Sequence, residues 1–332
     1  MSGTDRARPP LPATRQGYRR RRYGCGVVAA LALVALVLLV VTASGRAPLT
    51  PAPAVAALSA APLPAGWTQT TVPVTVGGLD RSYLLIRPRA TVTGQLPVLV
   101  ELHGCCVAPH EEAQRSGFVD VTRPAILVYP AGVARSWNAG FCCHRAQESG
   151  VDDVAFLTAV VTHVLATQAD AASGQVYLAG YSNGGKMALR MACEAPGLFA
   201  AVASYGAVDA MPCPDPAPVS LLEAASTDDP ELSIRPGDTP HTVNGYTEPT
   251  VEAEVDRYRQ ADGCPDSADV RHRGSLTVTT WTGCDSGRIV QLALYRGGGH
   301  GWPQGDRATP SAAEVIWGFF LTARAATRRG PG

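Results

Sequence analysis

The chain has 332 residues, 28 basic and 28 acidic side chains, nine cysteines, 46% hydrophobic and 6% aromatic residues. That length can bury a substantial core, and the composition excludes a disordered chain. Few aromatics, and no Lys/Arg stripe through the body of the chain, argue against nucleic acid as a partner.

Arg19, Arg20, Arg21 and Arg22 stand directly before an uncharged apolar run over 24–43. A basic flank followed by such a run predicts a secretory signal or a membrane anchor, with the arginines on the cytoplasmic side. The run exceeds the usual signal core and just reaches spanning length. Thr42, Ala43 and Ser44 supply the small residues of a cleavage site, so both readings stay open. Either way the remainder is expected outside the cell, secreted or anchored to the outer face of the cytoplasmic membrane, with membrane contact only through this segment. Residues 1–46 carry eight arginines and one aspartate, which leaves 20 basic against 27 acidic residues, a net charge of about −7. Residues 47–66 form a Pro/Ala-rich linker, and 67–332 a single catalytic-size domain.

From Trp67 the chain alternates strands and helices. Thr71–Val76 and Ser82–Ile86, split by Gly-Gly, predict an antiparallel hairpin. Pro97–Leu102 and Ala125–Tyr129 are runs apolar enough for strands buried on both faces. A helix is predicted over Asp152–Thr167, a strand over Gln175–Ala179, a helix over Asn183–Ala195, and strands over Ala200–Ser204 and Val219–Ala225. Helix Thr250–Ala261, strands Leu276–Thr282 and Ile289–Tyr295, and helix Pro310–Ala326 complete the series. This alternation predicts an α/β fold with a mostly parallel sheet and helices on both faces.

Eight cysteines remain once Cys25 is assigned to the N-terminal segment. An even number in an exported chain favours disulfides, and no zinc-type Cys/His spacing is present. Sequence proximity pairs Cys193 with Cys213 and Cys264 with Cys284, leaving Cys105/Cys106 to bridge Cys142/Cys143. No metal and no organic cofactor are expected.

Gly180-Tyr181-Ser182-Asn183-Gly184 fits G-x-S-x-G between a buried strand and a helix. In such an elbow, glycines flank a sharp turn that lifts the serine hydroxyl above the strand ends. A phosphate-binding loop fits less well, because Met187 stands where that motif needs a hydroxyl. A serine nucleophile needs a base, and His300, in a glycine-rich loop after the last buried strand, is the histidine placed to supply it. Asp229 or Asp228, directly after Val219–Ala225, would hold the imidazole, with Asp238 a weaker candidate. Backbone N–H groups of Asn183 and Cys105 would receive the oxyanion, and His103 is read as a structural residue fixing the Cys105 loop.

Over roughly Val72–Phe320 the sequence resembles secreted esterases of the polyhydroxybutyrate depolymerase and feruloyl/acetylxylan esterase type, which are α/β-hydrolases. The resemblance is carried by Leu102-His103-Gly104-Cys105, Ser136-Trp137-Asn138-Ala139-Gly140 with Cys142-Cys143, and Val151-Asp152-Asp153-Val154-Ala155-Phe156. Gly180–Gly184, Asp262-Gly263-Cys264 and Gly299-His300-Gly301-Trp302-Pro303 extend it. It implies a serine esterase with a Ser182, Asp229, His300 triad. The family's His-Gly before the acid is replaced by Ala225-Ser226, although the register still favours Asp229. The resemblance also implies a substrate cleft bordered by Trp137, Tyr181 and Trp302. With the chain ending at Gly332 and few aromatics, soluble esters (short-chain, hydroxyalkanoate-oligomer or feruloyl/acetyl-sugar) are expected rather than a solid polymer. The competing readings are acyl transfer to a hydroxyl acceptor and a non-catalytic, surface-anchored binding protein on the same scaffold.

Overall fold

Residues 63–122 and 124–329 are described by a computed structural model. The apolar run at 24–43 and nearly all of the linker lie outside them. Among the described residues, no helix is long and apolar enough to cross a membrane.

The chain begins with β1 (Trp67–Val76) and β2 (Leu79–Pro88), an antiparallel hairpin. Its two-residue turn is Gly77-Gly78, both with positive φ, which is the backbone a tight hairpin of this twist requires. Then follow β3 (Leu96–Leu102), α1 (Pro109–Arg115), α2 (Phe118–Val121), β4 (Ile126–Pro130), α3 (His144–Glu148) and α4 (Asp153–Thr167). The central part is β5 (Ala171–Tyr181), α5 (Asn183–Glu194), β6 (Ala201–Tyr205) and β7 (Ser220–Ser226). A small hairpin, β8 (Thr242–Val243) and β9 (Tyr246–Thr247), precedes α6 (Val251–Ala261). The chain closes with β10 (Asp269–Arg273), β11 (Leu276–Trp281), β12 (Val290–Tyr295) and α7 (Ala312–Arg329).

Ten strands make one sheet in the order β1-β2-β4-β3-β5-β6-β7-β12-β11-β10. The six from β4 to β12 run parallel, and antiparallel strands flank them on both sides. Side chains alternate across a strand, so each central strand feeds two cores. On β3, Leu99 joins the layer under α1, α2 and α7, with Phe118, Ile316 and Phe320. Its neighbours Val98 and Val100 join the opposite layer, under α4 and α5, with Phe156, Val160 and Met187. Both faces are therefore covered by helices, as continuous apolar strands require.

Two predicted helix starts shift by one residue because their first residues are caps. Asp152 accepts the Ala155 N–H at 2.8 Å and Thr250 that of Ala253 at 3.1 Å. The exposed edge strand β10 is absent from the predicted series, since Asp-Val-Arg-His-Arg carries no apolar alternation. His272 there faces Thr277 of β11 at 3.0 Å.

Sequence proximity is met for Cys193–Cys213 and Cys264–Cys284, which are joined. The other pairing requires correction: Cys105 bonds Cys106 and Cys142 bonds Cys143, with no bridge between the dipeptides. Their backbones are fastened separately. Cys106 N–H is held by Arg135 O (2.8 Å), turning its side chain to solvent, whereas Cys143 N–H is held by Trp137 O (3.0 Å) and Cys142 is buried against Asn183.

Candidate functional site

Four of the predicted site residues lie beyond the carboxyl ends of parallel strands, where α/β sheets place their ligands. Ser182 follows β5, Asp229 follows β7, His300 follows β12 and Cys105 follows β3. Ser182 has φ 53° and ψ −121°, a sharp turn for a residue with a side chain. The flanking glycines are required by what they touch. A side chain at Gly180 would strike the Gly184 carbonyl, and one at Gly184 would strike the carbonyls of Leu102 and His103. The elbow is thus wedged between its own helix and the end of β3. Ser182 N–H bonds Tyr205 O at 2.9 Å, which ties the turn to β6.

His300 joins the other two members. Its Nε2 lies 2.8 Å from Ser182 Oγ and its Nδ1 2.8 Å from Asp229 Oδ2. With the proton on Nδ1, the ring donates to Asp229 and accepts from Ser182. The second oxygen of Asp229 accepts the Glu231 N–H at 2.9 Å. Burial of the His300 ring disfavours its charge, but the Asp229 hydrogen bond and charge, joined by Glu231, outweigh this. The His300 pKa accordingly stands above its ordinary 6.5. Of the alternative acids, Asp228 accepts the Gly299 N–H at 3.0 Å, and Asp238 closes a turn through Ile234 N–H (2.9 Å) and Arg235 N–H (2.8 Å).

Asn183 opens α5, so its N–H is among those that a helix leaves without an internal partner. Its side chain is locked to Trp137, accepting from the backbone N–H at 2.7 Å and donating to the carbonyl at 3.0 Å. The loop carrying Cys105 packs on the same helix start, with Gly104 so close to the Tyr181 ring that a side chain there would clash. Buried His103 fixes this loop, donating from Nδ1 to Gly104 O (2.9 Å) and accepting Gly132 N–H at Nε2 (3.0 Å). Burial depresses its pKa to about 4, so it is neutral at ordinary pH.

The expected cleft residues turn out to be supports. Trp137 is 0% exposed, its indole N–H donating to His103 O at 2.9 Å. Tyr181 (7%) and Trp302 (8%) are buried too. Instead they fasten the histidine loop: Tyr181 donates its hydroxyl to His300 O, and Trp302 Nε1 donates to Ser116 O at 3.1 Å. Tyr205 adds a bond to Gly301 O at 3.0 Å.

No motif marks the charged groups around this frame. Arg115 lies 4.6 Å above the Tyr181 ring and is paired with buried Glu112. Burial and the charge of Glu112 push the pKa of neighbouring Glu101 well up. Lys186, one turn into α5, is paired with buried Glu248, which also takes His241 Nδ1 at 2.7 Å. Among the described residues, Cys105, Cys106 and His144 have ligand atoms within 4.8 Å of one another, but the two sulfurs are bonded to each other. That leaves no thiolate pair for a metal.

A parallel sheet covered by helices on both faces, with a strand–serine–helix elbow meeting a histidine from the last strand, defines an α/β-hydrolase. A family model described as "Putative esterase" matches residues 79–238. "Putative esterase NocK" of Nocardia uniformis subsp. tsuyamanensis is 33% identical over 267 residues, covering 72% of this chain and 75% of that protein. The chain belongs to this esterase family and is a carboxylic ester hydrolase. "Probable feruloyl esterase C" of Aspergillus terreus (strain NIH 2624 / FGSC A1156) is 30% identical over 207 residues, 60% of this chain and 65% of that one. Acetyl xylan esterase from Aspergillus awamori superposes with a TM-score of 0.55 at 14% identity, over 76% of this chain and 99% of its own, a likeness of fold.

Proposed function

We propose that the protein is an exported serine esterase acting on carboxylic esters through Ser182, His300 and Asp229. The observation that carries this reading is the double contact of His300, 2.8 Å to Ser182 Oγ and 2.8 Å to Asp229 Oδ2. Ser182 Oγ attacks the ester carbonyl as its proton passes to His300 Nε2. Asn183 and Cys105 N–H groups take the oxyanion, each such donor contributing about 3–4 kcal/mol to the transition state. The tetrahedral intermediate collapses, His300 protonates the departing alcohol, and a water activated by the same imidazole releases the acid.

Export is supported by the basic and apolar N-terminal segment and by the joined pairs Cys193–Cys213 and Cys264–Cys284. The relatives named for feruloyl and acetyl-xylan esters make esters of those kinds, with short-chain and hydroxyalkanoate-oligomer esters, the first substrates to try. The test is turnover of p-nitrophenyl acetate and butyrate by the wild type beside Ser182→Ala. The variant is expected to lose about a thousandfold or more in kcat; equal rates would end the esterase mechanism proposed here.

A further inference from the structure

Two groups approach His300 Nε2. One is Ser182 Oγ at 2.8 Å, and the other is the carboxylate of Glu231, with Oε2 at 3.5 Å. Ester cleavage as proposed above uses the first and has no task for the second, because Asp229 already orients the ring through Nδ1. Glu231 is nonetheless fixed by the acid's own turn, its N–H bonded to Asp229 Oδ1 at 2.9 Å. Its side chain is 58% exposed, so the carboxylate stands in solvent at the edge of the reacting atoms.

The charges around it leave that position anionic. Asp229 is buried against His300, and Asp228 holds the Gly299 N–H from the same turn. The neighbouring cations are matched elsewhere: Lys186 by Glu248, which also binds His241, and Arg115 by Glu112. Among the described residues, the basic side chain within 4 Å of the Glu231 carboxylate is His300, which carries charge only when protonated.

Nε2 is the atom that protonates the departing alcohol, so the alcohol oxygen must come within hydrogen-bond reach of it. A carboxylate 3.5 Å from that nitrogen therefore stands beside the atom that the departing alcohol must approach. We propose that Glu231 sets specificity on the alcohol side, disfavouring alcohols that carry a negative charge and favouring neutral or hydrogen-bond-donating ones. This rests on the esterase reading of Ser182 and His300. It adds a discrimination within the substrate range, since an ester whose leaving alcohol is a free hydroxyacid brings a carboxylate towards Glu231, while an ester of a neutral polyol does not.

The test compares meta-acetoxybenzoate with meta-acetoxybenzamide, which share an acyl group and differ in charge on the alcohol side. Acetate release gives kcat/KM for each with the full-length wild type, Glu231→Gln and Glu231→Asp. The wild type should prefer the amide. In Glu231→Gln the carboxylate-to-amide ratio should rise about fivefold at low ionic strength, as for an exposed charge pair. At about 0.5 M salt the gain should shrink below about twofold, and Glu231→Asp should keep the wild-type preference. The acid limb of the pH profile should also move to lower pH in Glu231→Gln, because a charge favouring the imidazolium is gone, a shift that a merely structural role would not produce. A ratio unchanged within about twofold between wild type and Glu231→Gln at low salt overturns the inference and leaves the esterase reading standing. Failure of the wild type to cleave either ester faster than Ser182→Ala overturns both.

Discussion

Asp228 and Asp229 are adjacent and chemically alike, so substituting each in turn tests the site geometry itself. In Asp229→Asn the fate of the amide is set by its surroundings. The Glu231 N–H, which bonds Asp229 Oδ1 at 2.9 Å, keeps an oxygen at that position. The amide NH2 then faces His300 Nδ1, where Oδ2 now accepts at 2.8 Å. Two donors cannot face each other, so the ring must carry its proton on Nε2 instead. That tautomer points an N–H at Ser182 Oγ and cannot receive the serine proton. The expected loss in kcat is about 10³–10⁴-fold, equivalent to about 4–5.5 kcal/mol at the barrier. Asp228→Asn keeps an oxygen that can accept the Gly299 N–H and forfeits only the charged character of one exposed hydrogen bond, so a loss of less than about tenfold is expected. Kinetics with p-nitrophenyl acetate near pH 8, alongside circular dichroism and thermal melts to establish folding, decide the matter. Equal losses in the two variants, or a larger loss in Asp228→Asn, would refute the assignment of the acid.

The pKa of His300 stands above 6.5, and only its neutral form accepts the serine proton, so kcat/KM should fall as pH drops through that raised value. An acid limb centred well below pH 6.5 would contradict the Asp229 contact. His103→Phe removes the acceptor for the part-buried Gly132 N–H and should cost about 1–3 kcal/mol in urea unfolding; unchanged stability would mean that the ring does not hold the loop. Gly184→Ala drives a methyl group into the carbonyls of Leu102 and His103, so soluble expression or activity should collapse, and a fully active variant would show that the elbow is not wedged against β3. Replacing Cys193 and Cys213 together by serine opens a loop of 20 residues and should lower stability by about 3 kcal/mol, read from urea midpoints with the native disulfide as control.

What could be read from sequence separates by how locally each feature is determined. The hairpin at Gly77-Gly78, the strands β3, β4 and β7, and the elbow at Ser182 each depend on conformations that a few residues specify by themselves. His300 was legible for the same reason, standing in a glycine-rich loop at a strand end. The choice between Asp228 and Asp229 rests on the register of the resemblance alone. Both follow β7, and what separates them is that one carboxylate meets Nδ1 while the other meets Gly299, two atoms some seventy residues away.

Trp137, Tyr181 and Trp302 show the same limit from the other side. An aromatic ring with a polar atom serves equally well as a cleft wall or as a buried strut, and the sequence around it is the same in both cases. The difference is made by acceptors contributed from elsewhere: His103 O for Trp137, His300 O for Tyr181 and Ser116 O for Trp302. Once those bonds exist, burying the rings satisfies their polar atoms and immobilises the two loops that carry His300 and Cys105. The aromatic residues thus contribute to function through rigidity. The turn after β7, by contrast, presents a glutamate with no motif around it, Glu231, whose exposed carboxylate lies 3.5 Å from His300 Nε2.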